Sequence, residues 1–279
     1  MISVIVITRN RALLLKKCVE SLLSQDYKGR FEVIVVDNGS EEGALGAFDR
    51  GVKITRTERV SLSKCRSLGV DAAQGSIIAF TDDDCVVSKG WLSAVSDACS
   101  RSEAACGPVM PREGTRFPSW WKSSMNWMAG INPGPSKKFP ALGSNIAFRK
   151  ETLRKIFSAL PPGLKDTREL SPYREDYYLM RHAAAMGISL RTESKMLVYH
   201  NVPSHKLTVS YLLRRSCQEA GARLAYEHNP KDLAVTLLAI PAGIVGLVLS
   251  LDLNRFFRIA QDLSYISKYL KKCLEIILR

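Results

Sequence analysis

Three consecutive carboxylates, Asp82, Asp83 and Asp84, follow directly on an apolar run at residues 76–80. Aspartate is unfavourable inside strands and helices, and adjacent negative charges repel one another, so these residues need a compensating environment. A solvated turn is one such environment. A bound hard cation such as Mg²⁺ or Mn²⁺ is the other, because these ions prefer carboxylate oxygen and keep coordination sites open for substrate phosphates.

Polar side chains also follow the first two apolar runs of the chain. The run at residues 2–8 ends in Thr8 and is followed by Arg9, and the run that starts at residue 32 leads into Asp37. Ligands of open α/β sheets bind beyond the carboxyl ends of the strands. We therefore expect these residues and the three acids at one edge of a sheet, where together they would form a site.

Apolar runs alternate with helical periodicity through the first hundred residues. The predicted elements are the strands 2–8, 32–40 and 76–80 and the helices 13–23, 61–73 and 91–99. Continuously apolar strands separated by helices are typical of a mainly parallel sheet with helices on both faces, so the predicted class is α/β and Rossmann-like. The chain lacks G-x-G-x-x-G after its first strand and lacks a P-loop, which argues against dinucleotide-binding proteins and P-loop NTPases.

The pattern is looser after residue 106. Residues 107–140 are rich in proline and glycine and contain Trp120, Trp121 and Trp127, as functional loops often do. The tryptophans fit stacking on a sugar, contact with lipid, and core packing equally well. The elements predicted beyond this segment are a strand at 141–150, a helix at 174–187, one or two strands at 189–200 and a basic helix at 207–228.

The charge of the chain indicates an anionic partner. Its 40 basic and 27 acidic residues give a net charge of +13. No nucleic-acid-binding motif is present, and no aromatic stacking platform lies among the basic residues, so we expect no nucleic-acid partner. Arg214 and Arg215 fit a bidentate phosphate clamp and a solvent- or lipid-facing surface equally well. The seven scattered cysteines, without a C-x-x-C pair, indicate reduced thiols.

The order of the motifs carries a family resemblance. The motifs are TRNR at 8–11, VVDNGS at 35–40, AFTDDD at 79–84, GSNIAFRKE at 143–151, REDYYLMRHAAAMG at 174–187 and VYH at 198–200. Their order and spacing resemble those of a family-two glycosyltransferase, from residue 2 to about residue 228. The resemblance implies a GT-A fold, a nucleotide-sugar donor and a divalent metal ion, Mn²⁺ or Mg²⁺, as the cofactor.

The resemblance implies a nucleotide pocket lined by Thr8 and Arg9. Asp37 would accept a hydrogen bond from the base, for which a uracil N3–H is suited, and Arg66 would face the nucleotide or the diphosphate. From residue chemistry alone, Asp37 also fits a helix cap and Arg66 also fits a surface ion pair.

The acids after the third strand would hold the metal. The resemblance makes Asp84 the principal ligand, brings Asp82 to the ribose or the metal, and includes Asp83 in the donor site. His200 would meet the metal or the diphosphate, since neutral imidazole is a suitable ligand. A purely structural histidine is the alternative.

Asp176 matches the position of the catalytic base in such enzymes. Inverting transfer needs a carboxylate that takes the acceptor's hydroxyl proton as that oxygen attacks the anomeric carbon. Glu175 would tune Asp176 or hold the acceptor, although two acids in a first helical turn are also favoured by the helix dipole. Residues 157–174 depart from the family pattern where the acceptor site is normally shaped. The acceptor is therefore predicted only as a saccharide or a lipid-linked molecule.

The C-terminal residues suit a membrane. Residues 233–251 carry no charge and are just long enough to cross a hydrocarbon core, although a buried core helix is the alternative. The tail at 254–279 has the pattern of a basic amphipathic helix on an anionic surface. We predict a catalytic domain at 1–228 and a membrane-associating segment at 229–279 that spans or re-enters the cell membrane, with the enzyme on its cytoplasmic face.

These features predict a metal-dependent, inverting glycosyltransferase. It would move a sugar from a nucleotide-diphosphate donor, with a UDP-sugar favoured, to its acceptor at the membrane, in polysaccharide or glycoconjugate synthesis. One alternative is a sugar nucleotidyltransferase, but the chain lacks the glycine- and arginine-rich N-terminal signature of such enzymes. The other is an inactive membrane-bound glycan- or lipid-binding scaffold, which would have no chemical need for both Asp84 and Asp176.

Overall fold

A computed structural model describes residues 1–45, 51–134, 143–160, 175–216, 218 and 259–268. The apolar run at 233–251 and most of the tail and of the acceptor segment lie outside the described residues. The chain forms two compact units. The first comprises Met1–Thr115, Gly130–Glu169 and Glu175–Asn201, and the second comprises Arg116–Ala129, Leu170–Arg174 and Val202–Arg279. The predicted domain boundary at residue 228 stays a prediction.

The described residues form the following strands and helices. The strands are β1 (Ile2–Thr8), β2 (Phe31–Asn38), β3 (Val52–Thr57), β4 (Ile77–Asp82), β5 (Cys85–Val87), β6 (Ala104–Cys106), β7 (Val109–Pro111), β8 (Ile146–Arg149), β9 (Leu190–Thr192) and β10 (Val198–His200). The helices are α1 (Ala12–Leu23), α2 (Leu62–Ala72), α3 (Trp91–Arg101), α4 (Lys150–Ala159) and α5 (Glu175–Ala185), with 3₁₀ turns at Ser123–Ala129 and Ser204–Leu207. Residues 209–216 and 259–268 are also helical.

The first unit contains a seven-stranded sheet in the order β3-β2-β1-β4-β8-β6-β9. Strands β3, β2, β1 and β4 run parallel, and β8 is antiparallel to both of its neighbours. A smaller sheet has the order β5-β10-β7, in which β10 is antiparallel to β5 and parallel to β7. The parallel strands bring the carboxyl ends of β1, β2 and β4 to the same edge.

Alternate residues of each central strand enter two different cores. Val4 and Val6 of β1 pack with α1 and α3 on one face of the sheet, whereas Ile5 packs with α2, α4 and α5 on the other. Successive side chains of a strand point to opposite faces, so an uninterrupted apolar run is what a sheet covered on both sides requires. The predicted mainly parallel sheet with helices on both faces is confirmed.

Several elements escaped prediction because their patterns are weak. Strand β3 is a half-exposed edge strand with only six residues, VKITRT, and therefore lacks a continuous apolar run. Helix α4 is an exception, because it was missed although its pattern is amphipathic and it buries Leu153 and Ile156. The strands of the small sheet have three residues each, too few to show a period.

In the second unit, the three tryptophans pack against one small apolar core. Trp120, Trp121 and Trp127 lie partly buried against a small core of Met125, Met128 and Leu212. The Trp121 indole donates a hydrogen bond to Asn126 Oδ1 at 3.0 Å. Within the described part of the chain, no helix is both long and apolar enough to cross a membrane.

A fully buried amide, Asn145, ties three segments of the first unit together. Its Nδ2 donates to the carbonyl oxygens of Met196, at 2.6 Å, and Pro108, at 2.9 Å. Its Oδ1 accepts a hydrogen bond from the indole of Trp91 at 2.9 Å. Trp91 and Met196 are fully buried, so the indole N–H and the Met196 carbonyl depend on Asn145 for their hydrogen bonds. The Pro108 carbonyl also accepts a hydrogen bond from Val198 N–H at 3.1 Å.

Substitution of Asn145 should therefore destabilise the fold strongly. We expect Asn145→Ala to lower the free energy of unfolding by about 3 kcal/mol, because it leaves two buried polar groups, the Trp91 indole N–H and the Met196 carbonyl, unsatisfied. Urea denaturation followed by circular dichroism measures this change. Ser100→Ala, which removes an exposed hydroxyl bonded to Asp97 O, should stay within about 0.5 kcal/mol of the wild type. Equal losses in the two variants would contradict the role assigned to Asn145.

Candidate active site

The ends of three parallel strands meet at one edge of the large sheet. Thr8 of β1 is in register with Asp37 of β2, and Ile7 is in register with Asp82 of β4. Asp83 and Asp84 lie in the turn between β4 and β5 and are 4% and 8% exposed. Two buried carboxylates in one turn require partners that balance their charge.

Those partners come from the end of β1 and the start of α1. The Thr8 hydroxyl donates to Asp83 Oδ2 at 2.7 Å. A single guanidinium nitrogen, Arg11 Nη1, lies 3.1 Å from Asp83 Oδ1 and 3.4 Å from Asp84 Oδ2. Arg11 was not among the predicted site residues, although it stands in the TRNR motif at the strand end that faces the acids.

His200 approaches the same acids from the small sheet. Its Nε2 lies 3.4 Å from Asp84 Oδ1, and the following amide, Asn201 N–H, donates to the Asp84 carbonyl at 2.8 Å. Gly130, with a φ of +71°, packs on the imidazole, and a Cβ there would lie 3.0 Å from His200 Cε1. Nδ1 of His200 is buried and has no hydrogen-bond partner among the described residues.

The acids can hold a hard divalent cation. Ligand atoms of Asp82, Asp84 and Cys85 all lie within 4.8 Å of one another. Burial, followed by the charges of Asp82 and Asp84, raises the pKa of the Cys85 thiol well above its usual value, and a neutral thiol is a poor ligand for Mg²⁺ or Mn²⁺. Carboxylate oxygens of Asp82 and Asp84 remain as ligands that fit such an ion, and His200 Nε2 lies beside Asp84.

The pKa of Asp82 reflects its partial burial and the charges around it. Desolvation by the surrounding protein, followed by the charge of Asp84, raises the pKa of Asp82 to about 7. Arg66 and His200 act in the opposite direction and lower it. Since Asp82 remains partly open to solvent, a cation can reach its carboxylate directly.

Arg66 and Asp176 come together around a glycine, Gly143. The buried guanidinium of Arg66 lies 5.8 Å from the ring centre of Phe80. The Gly143 amide donates to Asp176 Oδ2 at 2.8 Å. A Cβ on Gly143 would lie 2.6 Å from Arg66 Nη2 and 3.1 Å from Asp176 Cβ, so any larger residue here would displace the Arg66 guanidinium. The sequence shows a glycine at this position but nothing of the contact that requires it.

Asp37, at the end of β2, has polar partners of its own. Its Oδ1 accepts a hydrogen bond from the Ser40 amide at 3.0 Å, and its Oδ2 lies 3.5 Å from Nε of Arg56 on β3. Arg9 donates from Nε to the carbonyl of Gly39 at 3.3 Å. The Asp37 side chain is thus fixed at the strand end by its own turn and by an exposed arginine.

The remaining predicted residues are less informative. Glu175 begins α5, and its side chain lies outside the described part of the structure. Arg214 and Arg215 belong to the helical residues 209–216 of the second unit. Their predicted phosphate-binding role stays a prediction. Arg56 was missed because β3, the edge strand that carries it, was not predicted.

Comparison with known proteins relates this geometry to a family. The family model described as Glycosyl transferase family 2 matches residues 3–157, more than half of the chain. The glucosyl-dolichyl phosphate glucuronosyltransferase of Haloferax volcanii is 26% identical over 205 residues, which cover 68% of this chain and 63% of that protein. The chain spans between 13% and 63% of the lengths of three curated relatives that it matches.

Solved structures show the same fold. The mannosyltransferase PcManGT from Pyrobaculum calidifontis, in complex with GDP-Man and Mn²⁺, superposes with a TM-score of 0.61 at 18% identity over 95% of this chain and 86% of that chain. TarS 1–349 from S. aureus, in complex with UDP, gives a TM-score of 0.56 at 15% identity over 97% and 91% of the two chains. At these identities the likeness shows the fold alone, and it confirms the predicted GT-A-like fold.

Cation binding at this corner should depend on pH through Asp82. The pKa of Asp82 is about 7 in the folded protein, against an ordinary value of 3.8 for aspartate. The folded protein therefore holds the proton of the Asp82 carboxyl more tightly than the unfolded chain does. The resulting stabilisation is fully present below about pH 4 and is lost as the pH rises through 7. A cation must displace the same proton. We therefore expect calorimetry to give a Mn²⁺ affinity about tenfold weaker at pH 6 than at pH 8.

The matched control for this pH dependence is Asp82→Asn, which cannot titrate. Its Mn²⁺ affinity should be weaker than that of the wild type, but the ratio between pH 8 and pH 6 should shrink. Equal wild-type affinities at the two pH values would contradict the raised pKa of Asp82.

Proposed function

The chain belongs to glycosyl transferase family 2 and is a glycosyltransferase, and we propose that it transfers a sugar from a nucleotide-diphosphate donor to a saccharide or lipid-linked acceptor. The observation that carries the proposal is the acidic corner at the end of β4, where Asp82, Asp84 and His200 offer a donor set for a divalent cation. The mannosyltransferase PcManGT, which has a similar fold and was solved with GDP-Man and Mn²⁺, supports a nucleotide-sugar donor and a divalent cation.

The proposed cofactor is Mn²⁺ or Mg²⁺. Asp84 would be the main ligand, with Asp82 and His200 beside it. A divalent cation bound there supplies positive charge that stabilises the departing diphosphate. Asp83, whose two oxygens contact Thr8 and Arg11, supports the site by fixing those two side chains.

A UDP-sugar is the proposed donor, because of the environment of Asp37. The Ser40 amide occupies Oδ1, which leaves Oδ2, beside the Arg56 guanidinium, as the acceptor for the base. Uracil presents one N–H donor flanked by two carbonyl acceptors, which matches this pair. Guanine presents two adjacent donors, which would need both carboxylate oxygens. Thr8 and Arg9 would line the rest of the nucleotide pocket.

Asp176 is the proposed base. As the acceptor hydroxyl oxygen forms its bond to the anomeric carbon, the bond from that carbon to the donor diphosphate breaks and the hydroxyl proton passes to Asp176, with inversion. The hydrogen bond from Gly143 N–H fixes the orientation of the carboxylate. Arg66, beside the same glycine, would face the diphosphate, and Glu175 would tune the base or hold the acceptor.

We place the reaction at the cytoplasmic face of the cell membrane. The Haloferax relative is a glucosyl-dolichyl phosphate glucuronosyltransferase, which supports a lipid-linked acceptor for this chain as well. The net charge of +13 suits an anionic lipid surface and a diphosphate substrate without any nucleic-acid partner.

Nucleotide binding tests the proposal directly. Calorimetry should show that UDP binds the wild type in the presence of Mn²⁺, at least tenfold more tightly than GDP does, a ratio of the order set by one buried polar mismatch. Asp84→Asn should abolish the Mn²⁺-dependent part of this affinity, because it removes the charged ligand. Glu20→Gln, on the exposed face of α1, removes one negative charge as Asp84→Asn does and should bind as the wild type does. Failure of every nucleotide to bind would favour the inactive scaffold.

The position of Arg66 can be tested through Gly143. In Gly143→Ala, the new Cβ should push Arg66 away from the diphosphate while leaving Asp82, Asp83 and Asp84 in place. We expect UDP affinity with Mn²⁺ present to fall about tenfold, the effect of one lost charge-assisted hydrogen bond. At pH 8, where Asp82 is mostly ionised, Mn²⁺ affinity without nucleotide should stay within about twofold, since the substitution changes no ligand. Gly90→Ala, where a Cβ meets open space, is the matched control. An unchanged UDP affinity in Gly143→Ala would contradict the assignment of Arg66.

A further inference from the structure

The guanidinium of Arg11 lies between two of the acids, Asp83 and Asp84. It is half-exposed, and one nitrogen, Nη1, contacts both Asp83 and Asp84, two carboxylates that are themselves almost fully buried. Its backbone is fixed, because the Arg11 carbonyl accepts the first hydrogen bonds of α1 from Leu14 and Leu15. The side chain therefore reaches both acids from a rigid backbone position.

The two contacts of Arg11 differ in strength and surroundings. Asp83 is the closer partner at 3.1 Å, and its other oxygen is held by Thr8. Asp84 is the more distant partner at 3.4 Å, and its other oxygen faces His200. Arg11 can thus lose Asp84 and still be held by Asp83, at the same edge of the sheet.

We propose that Arg11 is the resident counter-cation of the acid cluster, which balances Asp84 in the cation-free protein and releases it when a divalent cation binds. A divalent ion on Asp84 would lie within a few ångströms of the Arg11 guanidinium, beside carboxylates that are almost fully buried, so the two cations compete for the same carboxylate. The proposal rests on the proposed function only in requiring that this corner binds a divalent cation.

The competition has a consequence for the donor. Once the ion displaces Arg11 from Asp84, the guanidinium stays tied to Asp83 with donors to spare, beside the position proposed for the diphosphate. A diphosphate that accepts those donors would stabilise the displaced arrangement and so favour cation binding. By reciprocity, the cation would then favour the diphosphate to the same degree. Arg11 is thereby a positioning residue that couples the two ligands.

The experiment measures Mn²⁺ affinity of the full chain by electron paramagnetic resonance, with and without UDP. In Arg11→Met, without UDP, Mn²⁺ should bind about tenfold more tightly than in the wild type, because a competing charge is gone. The factor by which UDP increases Mn²⁺ affinity should be about fivefold smaller than in the wild type. Arg11→Lys keeps the charge and should bind Mn²⁺ alone within about twofold of the wild type.

Lys16→Met controls for overall charge. Lys16 lies on the same helix, is largely exposed and is paired only loosely with Glu20, at 4.0 Å. Its replacement should change neither the Mn²⁺ affinity nor the effect of UDP. Circular dichroism establishes that each variant is folded before titration.

The outcomes separate this inference from the proposed function. If the wild type binds Mn²⁺ but folded Arg11→Met binds it equally well or more weakly, Arg11 does not compete for Asp84 and the inference is overturned. An unchanged effect of UDP in Arg11→Met would overturn the coupling. If neither protein binds Mn²⁺ even with UDP present, the metal-dependent function fails along with the inference.

Discussion

Mutual repulsion among the carboxylates that end β4 is the constraint on which the site depends. Asp83 and Asp84 are buried together, and they persist there because Thr8, Arg11 and His200 surround them. Each of these partners comes from a different element, so the cluster fixes how the end of β1, the start of α1 and the small sheet lie relative to β4. A site that brings negative charge together is also prepared to receive a cation.

At two glycines the backbone comes close to side chains of the site, and these contacts position the rest of the site. Gly143 admits both Arg66 and Asp176, and Gly130 packs directly on the ring of His200. Neither approach leaves room for a Cβ without movement of its neighbours. The residues proposed to bind donor and acceptor are thus positioned by the absence of side chains as much as by their hydrogen bonds.

The architecture explains why the polar residues collect at one edge. Both faces of the central strands are covered by helices and filled by apolar side chains, so charged groups can be tolerated only where the strands end. The family match covers residues 3–157. Asp176 and His200 follow that range in sequence, yet α5 and β10 bring them to the same unit as the strand ends.

The sequence by itself determined the central strands, the helices between them and the polar strand ends, because these depend on local periodicity over seven or eight residues. It also indicated the acids, since three adjacent aspartates are visible without any structure. Only the tertiary structure decided that Arg11 pairs with Asp83 and Asp84, that Arg56 accompanies Asp37, and that Gly143 holds Asp176. Those contacts join residues 19 to 73 positions apart, and no local pattern encodes which distant side chains will meet when the chain folds.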